Sequence, residues 1–328
     1  MGHLLKITKL GVSFKTSEGR VNAVVEASLD VKRGQRIGII GESGSGKSVM
    51  ARAIMGLNNP RFTDFAVDSK IELDGIDILS LNERELGLLR GEVVSIVFQN
   101  PMNSLNPSFT IGTQMRCVLQ AHRKINRTSA RHIIVSALKD VDLPSAESLV
   151  HRYPHELSGG QKQRVMIAMA ILCEPKLIIA DEPTSALDVT AQDTVLNVLI
   201  RLSKEKDIAI MMITHDMGVV ARFCERVNVM YGGYIVEQAD VKTLFSNPAH
   251  PYTAALLAAT PDPSQSKQVL QAIPGIQRTR IGMQPNSCPF IDRCAFSKAE
   301  CKTPPVPVEI VKGHKTTCHF AGQLDLSV

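Results

Sequence analysis

Apolar residues along this chain gather in short, unbroken blocks separated by polar turns. The block from Arg36 to Gly41, Arg-Ile-Gly-Ile-Ile-Gly, is rich in branched residues and reads as a buried strand. It runs into a glycine-rich turn and then a helical stretch, Ser48 to Leu57, which Asn58-Asn59-Pro60 stops. Further strands are predicted at Val93 to Phe98, Lys176 to Asp181 and Ala209 to Thr214. Helices are expected from Lys162 to Cys173 and around Ala191 to Lys204. From Thr110 to about Leu149 polar and apolar residues alternate at helical spacing, which predicts a helical insertion inside a subdomain spanning about 103–160. Strands alternating with helices predict an α/β fold with a mainly parallel sheet covered by helices. After Asn247 the pattern breaks down: the remainder holds ten of the 17 prolines and four of the seven cysteines. A main domain over 1–247 and a small, separate, irregular module over 248–328 are therefore expected.

Composition narrows the picture. With 44% hydrophobic and 21% charged residues the chain can bury a core and is not a disordered segment. Its net charge of +5 is too mild to predict a nucleic-acid partner, and none is expected. The longest apolar run, Val165 to Cys173, is half of the roughly 18 residues needed to span a bilayer. Met1 to Lys6 lacks the features of a secretory signal, and seven cysteines are an odd count for a secreted disulfide scaffold. A cytosolic protein is expected, with any membrane role carried by a partner.

Three motifs carry chemistry. Gly41-Glu42-Ser43-Gly44-Ser45-Gly46-Lys47-Ser48 has the spacing of a P-loop, between a strand and a helix. Glycines there let backbone N–H groups turn toward phosphate oxygens at a helix N-terminus. Lys47 would reach the β- and γ-phosphates and Ser48 would hold Mg²⁺. The strand ending in Asp181-Glu182 supplies two carboxylates: Asp181 to hold Mg²⁺, usually through water, and Glu182 to polarise an attacking water. Leu157-Ser158-Gly159-Gly160-Gln161 opens a helix with Ser158 as its N-cap. Two glycines in a first turn cost roughly 1 kcal/mol each against alanine, so a second phosphate cradle is the stronger reading. Two cradles in one chain point to a nucleotide sandwiched between two subunits.

With these motifs in place, the chain resembles the nucleotide-binding subunits of ABC transporters over residues 1 to about 245. P-loop, Gln99 loop, LSGGQ signature, strand-end Asp-Glu, the loop Ser185-Ala186-Leu187-Asp188 and His215 occur in the family's order. The resemblance implies an ABC-type P-loop fold, ATP hydrolysis and dimeric use of the signature. It implies that Phe14 stacks on adenine, that Gly41, Ser43, Gly44, Gly46, Lys47, Ser48 and Val49 bind ATP, and that His215 contacts the γ-phosphate. Gln99 would sense water and Mg²⁺ beside Ser48 and Asp181. Ser158, Gly159, Gly160 and Gln161 would cap the ATP held by the partner's P-loop, and Asp188 belongs to the dimer loop. Phe98 to Pro107 and His250 to Leu257 resemble the oligopeptide/dipeptide importer ATPases, first type, with Asn100 where the family usually has an acid. This implies a heterodimer with a sister ATPase, two transmembrane permease subunits and an extracytoplasmic peptide-binding protein, with the chain peripheral on the cytoplasmic face of the inner membrane. Nickel or metallophore complexes and antimicrobial peptides are alternative cargoes. A soluble ABC ATPase outside transport is a different class; its DNA-repair members need a far longer insertion than Thr110 to Leu149.

Cys288, Cys294, Cys301 and Cys318 are spaced C-x5-C-x6-C-x16-C, unlike the C-x2-C pairs of zinc ribbons. Four thiolates on a proline-rich, poorly cored segment suit an iron–sulfur cluster, and the resemblance implies [4Fe–4S]. Zinc with His314 or His319, or scattered reduced thiols, are the alternatives. Cys117, Cys173 and Cys224 read as small core residues. Since every ATP motif lies outside this module, ATP binding is expected to survive its loss.

Overall fold

Branched side chains buried on both faces turn the apolar blocks into strands. A computed structural model of the chain describes residues 2–99, 104–260, 273–277, 282 and 286–326. Its strands are β1 (Leu5–Thr16), β2 (Gly19–Val31), β3 (Arg36–Ile40), β4 (Thr63–Phe65), β5 (Lys70–Leu73), β6 (Ile76–Asp77), β7 (Val94–Val97), β8 (Leu177–Asp181), β9 (Ala209–Thr214), β10 (Arg226–Tyr231), β11 (Tyr234–Asp240), β12 (Val308–Val311) and β13 (His314–Thr316). The described residues form two units interleaved in sequence. One takes Met1–Leu5, Val31–Arg36 and Leu73–Met212; the other takes Lys6–Asp30, Ile37–Glu72 and Ile213–Val328.

In the first unit β7 and β8 pair in parallel, from Val94 opposite Leu177 to Val97 opposite Ala180. Leu177, Ile178, Ile179 and Ala180 are fully buried, as the unbroken apolar run requires. The predicted insertion is helical, as Ile111–His122, Arg127–Asp140 and Ala146–Leu149. Side-chain caps start its longer helices: Thr110 accepts from the Thr113 N–H, and Asn126 from the Ser129 N–H. Arg201, on the helix Val189–Lys206, ties down the end of the second of these helices. Its guanidinium donates to both Asp142 carboxylate oxygens at 2.9 and 3.0 Å and to the Asp140 carbonyl at 2.6 Å.

The second unit departs from the expected parallel order. Its larger sheet runs β12-β13-β11-β10-β3. Only β3 and β10 are parallel there, whereas β10–β11, β11–β13 and β12–β13 are antiparallel. The hairpin between β10 and β11 turns on Gly232 and Gly233 at φ 54° and 89°, the two left-handed residues that a tight turn demands. The unit also contains β1 between β2 and β5, with β4 antiparallel on β1. The cysteine-bearing segment does not stand apart: β13 extends the sheet by pairing with β11, Glu237 opposite Thr316.

Glu237 is the tie. It is 1% exposed and accepts the Ala249 N–H at 2.8 Å, the His250 N–H at 2.9 Å and His314 Nε2 at 2.8 Å. Three donors on one carboxylate compensate its loss of water. The His250-Pro251-Tyr252-Thr253 motif is thereby pinned to β11. His250 Nδ1 accepts the Tyr252 N–H at 3.0 Å and caps the helix Pro251–Ala258.

Burial pulls the His250 pKa down to about 4, against the pull of the Glu237 charge. Its neutral form therefore stabilises the fold above about pH 6.5, and this contribution is lost as pH falls toward 4, about 3 kcal/mol in all. His250→Asn keeps an acceptor for the Tyr252 N–H but cannot titrate. It should shrink the gap between urea midpoints measured at pH 7.5 and 5.0, and an unchanged gap would refute the assignment.

Candidate active site and a four-cysteine pocket

The turn after β3 is shaped by close backbone approaches. Gly41 has φ 148°, and a Cβ there would lie 2.1 Å from the Met230 carbonyl oxygen. Gly46 has φ 102°, and a Cβ there would lie 2.3 Å from the Ala23 carbonyl oxygen. The loop is sewn to the same sheet by the Gly233 N–H donating to the Ser45 carbonyl at 3.0 Å. Lys47 opens the helix Lys47–Ile54 and is 7% exposed; its ammonium donates to the carbonyls of Gly41 at 2.7 Å and Glu42 at 2.8 Å. Ser43, Gly44 and Ser48 are exposed and Val49 is half-buried, so the loop presents a polar outer rim. Phe14 sits half-buried on β1, paired with Thr63 of β4. His215 follows β9 and is exposed; its neighbour Asp216 caps the helix Met217–Phe223.

In the other unit β8 delivers Asp181 and Glu182, both half-buried. Glu182 takes φ 46°, a left-handed conformation that costs a non-glycine residue roughly 1–2 kcal/mol. Gln99 Nε2 donates to Glu182 Oε2 at 2.7 Å, so the loop glutamine and the strand-end acid meet as their spacing in the sequence could not show. Ser158 caps the helix Gly159–Ile171 in a full capping box with Gln161. A Cβ on Gly160 would lie 3.1 Å from Ala191 Cβ, which gives this glycine a packing reason beside the phosphate one. At Gly159 the nearest atom would be Leu187 Cδ2 at 3.8 Å, an ordinary contact, so packing does not require glycine there. Asp188 accepts the Ala191 N–H at 2.9 Å and caps the helix Val189–Lys206. Asn100 to Asn103 lie outside the described residues.

Cys288, Cys294, Cys301 and Cys318 line one cavity, walled by Phe290, Phe296 and Phe320. Burial pushes the Cys288 thiol up to about 11 and raises those of Cys294 and Cys318. His319 also lines the cavity, whereas His314, the other zinc ligand expected, is bonded to Glu237 instead. Among the described residues no group of three or more His, Cys, Asp or Glu stands arranged for a single metal ion. Cys173 and Cys224 are buried as expected, but Cys117 is exposed. The sequence reading missed Arg293 altogether: it donates to both Glu42 carboxylate oxygens, at 2.6 and 3.0 Å.

Taken with the parallel strands that carry them, a glycine-moulded phosphate loop and an LSGGQ helix place the chain among ATP-binding cassettes. Residues 24–185 match the family model described as ABC transporter, and residues 236–301 match the oligopeptide/dipeptide transporter C-terminal region. The dimeric, post-hydrolysis structure of the cassette MJ0796 bound to ADP and Pi is similar, with TM-score 0.64, 28% identity and coverage of 72% of this chain and 98% of that one. The dipeptide transport ATP-binding protein DppD of Escherichia coli is 41% identical over 97% of this chain and 96% of its own. The oligopeptide transport ATP-binding protein OppD of Salmonella typhimurium is 44% identical over 93% and 90%. The chain belongs to the ATP-binding subunits of oligopeptide/dipeptide-type ABC transporters, and it is an ATPase that powers transport. No helix among the described residues is long and apolar enough to cross a membrane.

Gly41→Ala combines a left-handed φ with a clash against fixed backbone. It should destabilise the protein by about 2–4 kcal/mol and weaken ATP binding, read by thermal melting and nucleotide titration. An alanine variant of wild-type stability would overturn this account of the loop.

Proposed function

We propose that this chain is the ATP-hydrolysing motor of an importer for di- or oligopeptides. The observation that carries the catalytic assignment is the 2.7 Å contact between Gln99 and Glu182 at the end of β8. A general base must meet the proton it takes with fixed geometry. The Gln99 amide holds the Glu182 carboxylate in place, and the carboxylate then accepts a proton from water as that water attacks the γ-phosphorus and the bond to the bridging oxygen breaks, with ADP as the leaving group. Lys47 neutralises the β- and γ-phosphates and His215 contacts the γ-phosphate. Phe14 stacks on adenine, and the loop residues Gly41, Ser43, Gly44, Gly46 and Val49 complete the ATP contacts. Mg²⁺, when bound, offsets phosphate charge; Ser48, Gln99 and Asp181 would hold it.

Ser158, Gly159, Gly160 and Gln161 cap the ATP of the partner's P-loop, and the position of Gly159, where packing does not require glycine, supports that use. The partner is a sister ATPase, docked with two permease subunits and served by a peptide-binding protein. The complex sits on the inner membrane with this chain peripheral on the cytoplasmic side. Peptide cargo is supported by the names of the full-length relatives, dipeptide and oligopeptide transport ATP-binding proteins. Residues 1–247 form the nucleotide-binding part and 248–328 the cysteine-bearing extension.

That extension holds a [4Fe–4S] cluster on Cys288, Cys294, Cys301 and Cys318. The four thiols share one cavity lined by Phe290, Phe296 and Phe320, and this shared lining supports a four-thiolate ligand set. The cluster would cross-link the segment and couple its folding to metal binding.

Glu182→Gln should keep ATP binding but lower turnover by about 10² or more. Near-normal phosphate release from the purified Glu182→Gln complex would sink the assignment. Anaerobically purified protein should be brown, with about four irons and four sulfides per chain. Cys301→Ser should lose the colour and open the last segment to protease; a colourless preparation with stoichiometric zinc would replace the cluster by a zinc site.

A further inference from the structure

The phosphate loop carries an acid at its second position, where a negative charge opposes a triphosphate. Glu42 does not stand alone there. Arg293 takes it with both arms of its guanidinium, Nη1 to Oε2 at 2.6 Å and Nη2 to Oε1 at 3.0 Å. The remaining donors are also engaged: Nε gives to the Pro274 carbonyl at 2.7 Å, Nη1 to Tyr231 Oη at 3.4 Å and Nη2 to the Ile273 carbonyl at 3.4 Å. Five donors on five acceptors make a rigid fork. The Arg293 side chain is 6% exposed and lies over the Tyr231 ring, 5.7 Å from its centre. The Glu42 N–H itself is taken by Tyr252 Oη at 2.8 Å.

Arg293 belongs to the cysteine segment. It closes the turn Ile291–Arg293 and directly precedes Cys294. The preceding Phe290 is 2% exposed and packs on Tyr231 and Tyr252 at 5.1 and 5.4 Å between ring centres. The chain that Arg293 holds at Ile273 and Pro274 continues to Gln277, whose amide nitrogen lies 3.8 Å from where a Cβ of Gly44 would be. The phosphate loop and the cysteine segment are therefore in direct contact, although every ATP motif lies outside that segment.

We propose that Arg293 is a positioning residue of the ATP site. It neutralises Glu42 within the phosphate loop and so ties the affinity for ATP to the packing of the cysteine segment. The inference rests on the phosphate loop as the ATP site and does not depend on what the four thiols bind. Breaking one half of a shielded ion pair leaves the other charge uncompensated, here beside the triphosphate.

The test is ATP binding by the purified full chain, measured as Kd alongside thermal melting. Arg293→Ala should weaken ATP by about tenfold or more, and the Arg293→Ala/Glu42→Gln double variant should recover most of the loss because the stranded charge is gone. The Arg293→Ala defect should also shrink as salt rises toward 1 M, where screening acts within about 3 Å. A role in folding alone would produce neither the recovery nor the salt effect. Phe290→Ala, which loosens the seat of Arg293 without touching its charge, should weaken ATP in the same direction and also be relieved by Glu42→Gln. If Arg293→Ala does not fold, Arg293→Lys keeps the charge but not the fork and should weaken ATP several-fold, again with relief by Glu42→Gln. ATP affinity within twofold of wild type in a folded Arg293→Ala or Arg293→Lys chain would overturn the proposal, as would a double variant no tighter than the single one. Wild-type affinity in Phe290→Ala would overturn the tie to the cysteine segment.

Discussion

A single buried carboxylate organises the second unit. Glu237 on β11 has lost its water, which costs an ionised group several kcal/mol in a protein interior. It recovers that loss from two backbone N–H groups and one imidazole, charge-assisted bonds of about 1.5–3 kcal/mol each. Because the donors come from two separate segments, Ala249-His250 and His314, satisfying the charge also fixes their arrangement. Ala249 and His250 can reach it only if the chain after Asn247 doubles back onto β11. His314 can reach it only if β13 lies alongside. Among the described residues after Asn247, satisfying this one acid thus acts together with the apolar burial of Tyr252 and Phe290.

Among the described residues eight non-glycines take a positive φ, and one of them, Glu182, is a candidate site residue. Glu182 adopts a left-handed φ immediately after β8, and its carboxylate accepts a hydrogen bond from Gln99 Nε2. Four fully buried residues upstream, Leu177 to Ala180, supply the stability that such a conformation draws on. The phosphate loop solves a similar problem differently. Its glycines permit backbone to approach backbone where any side chain would collide, so the loop keeps its shape through contacts with the Ala23 and Met230 carbonyls. One site depends on a residue tolerating a strained conformation, the other on residues that feel none.

What could be read in the sequence follows from the range of the interaction involved. Strands β3, β7, β8 and β9 were visible because burial on both faces leaves an unbroken apolar run. The phosphate loop and the signature turn were visible because their chemistry is local, within eight and five residues. The β10–β11 hairpin also has a local sign, Gly232-Gly233 between apolar runs. The N-terminal strands β1 and β2 carry mixed, interrupted patterns that periodicity alone does not separate. Four cysteines in a proline-rich tail could be noticed, but not that β13 would continue the sheet, since only Glu237 and the β11 edge determine that. Arg293 was the least legible of all: nothing in the order of residues says that an arginine between two cysteines will meet an acid 251 positions away.

That long reach bears on how this chain differs from a bare cassette. The solved cassette MJ0796 is covered over 98% of its length by about three quarters of this chain, so a cassette fold needs no more than that portion. The full-length relatives instead match over nearly all of it. An extension that merely trailed from the cassette would have no reason to contact the phosphate loop. Here it supplies the counter-charge for Glu42, the cover near Gly44 and, through Tyr252, the acceptor for a loop N–H. With the acid inside the loop and its arginine outside the cassette motifs, the ion pair on the phosphate loop is made only by a chain that carries both.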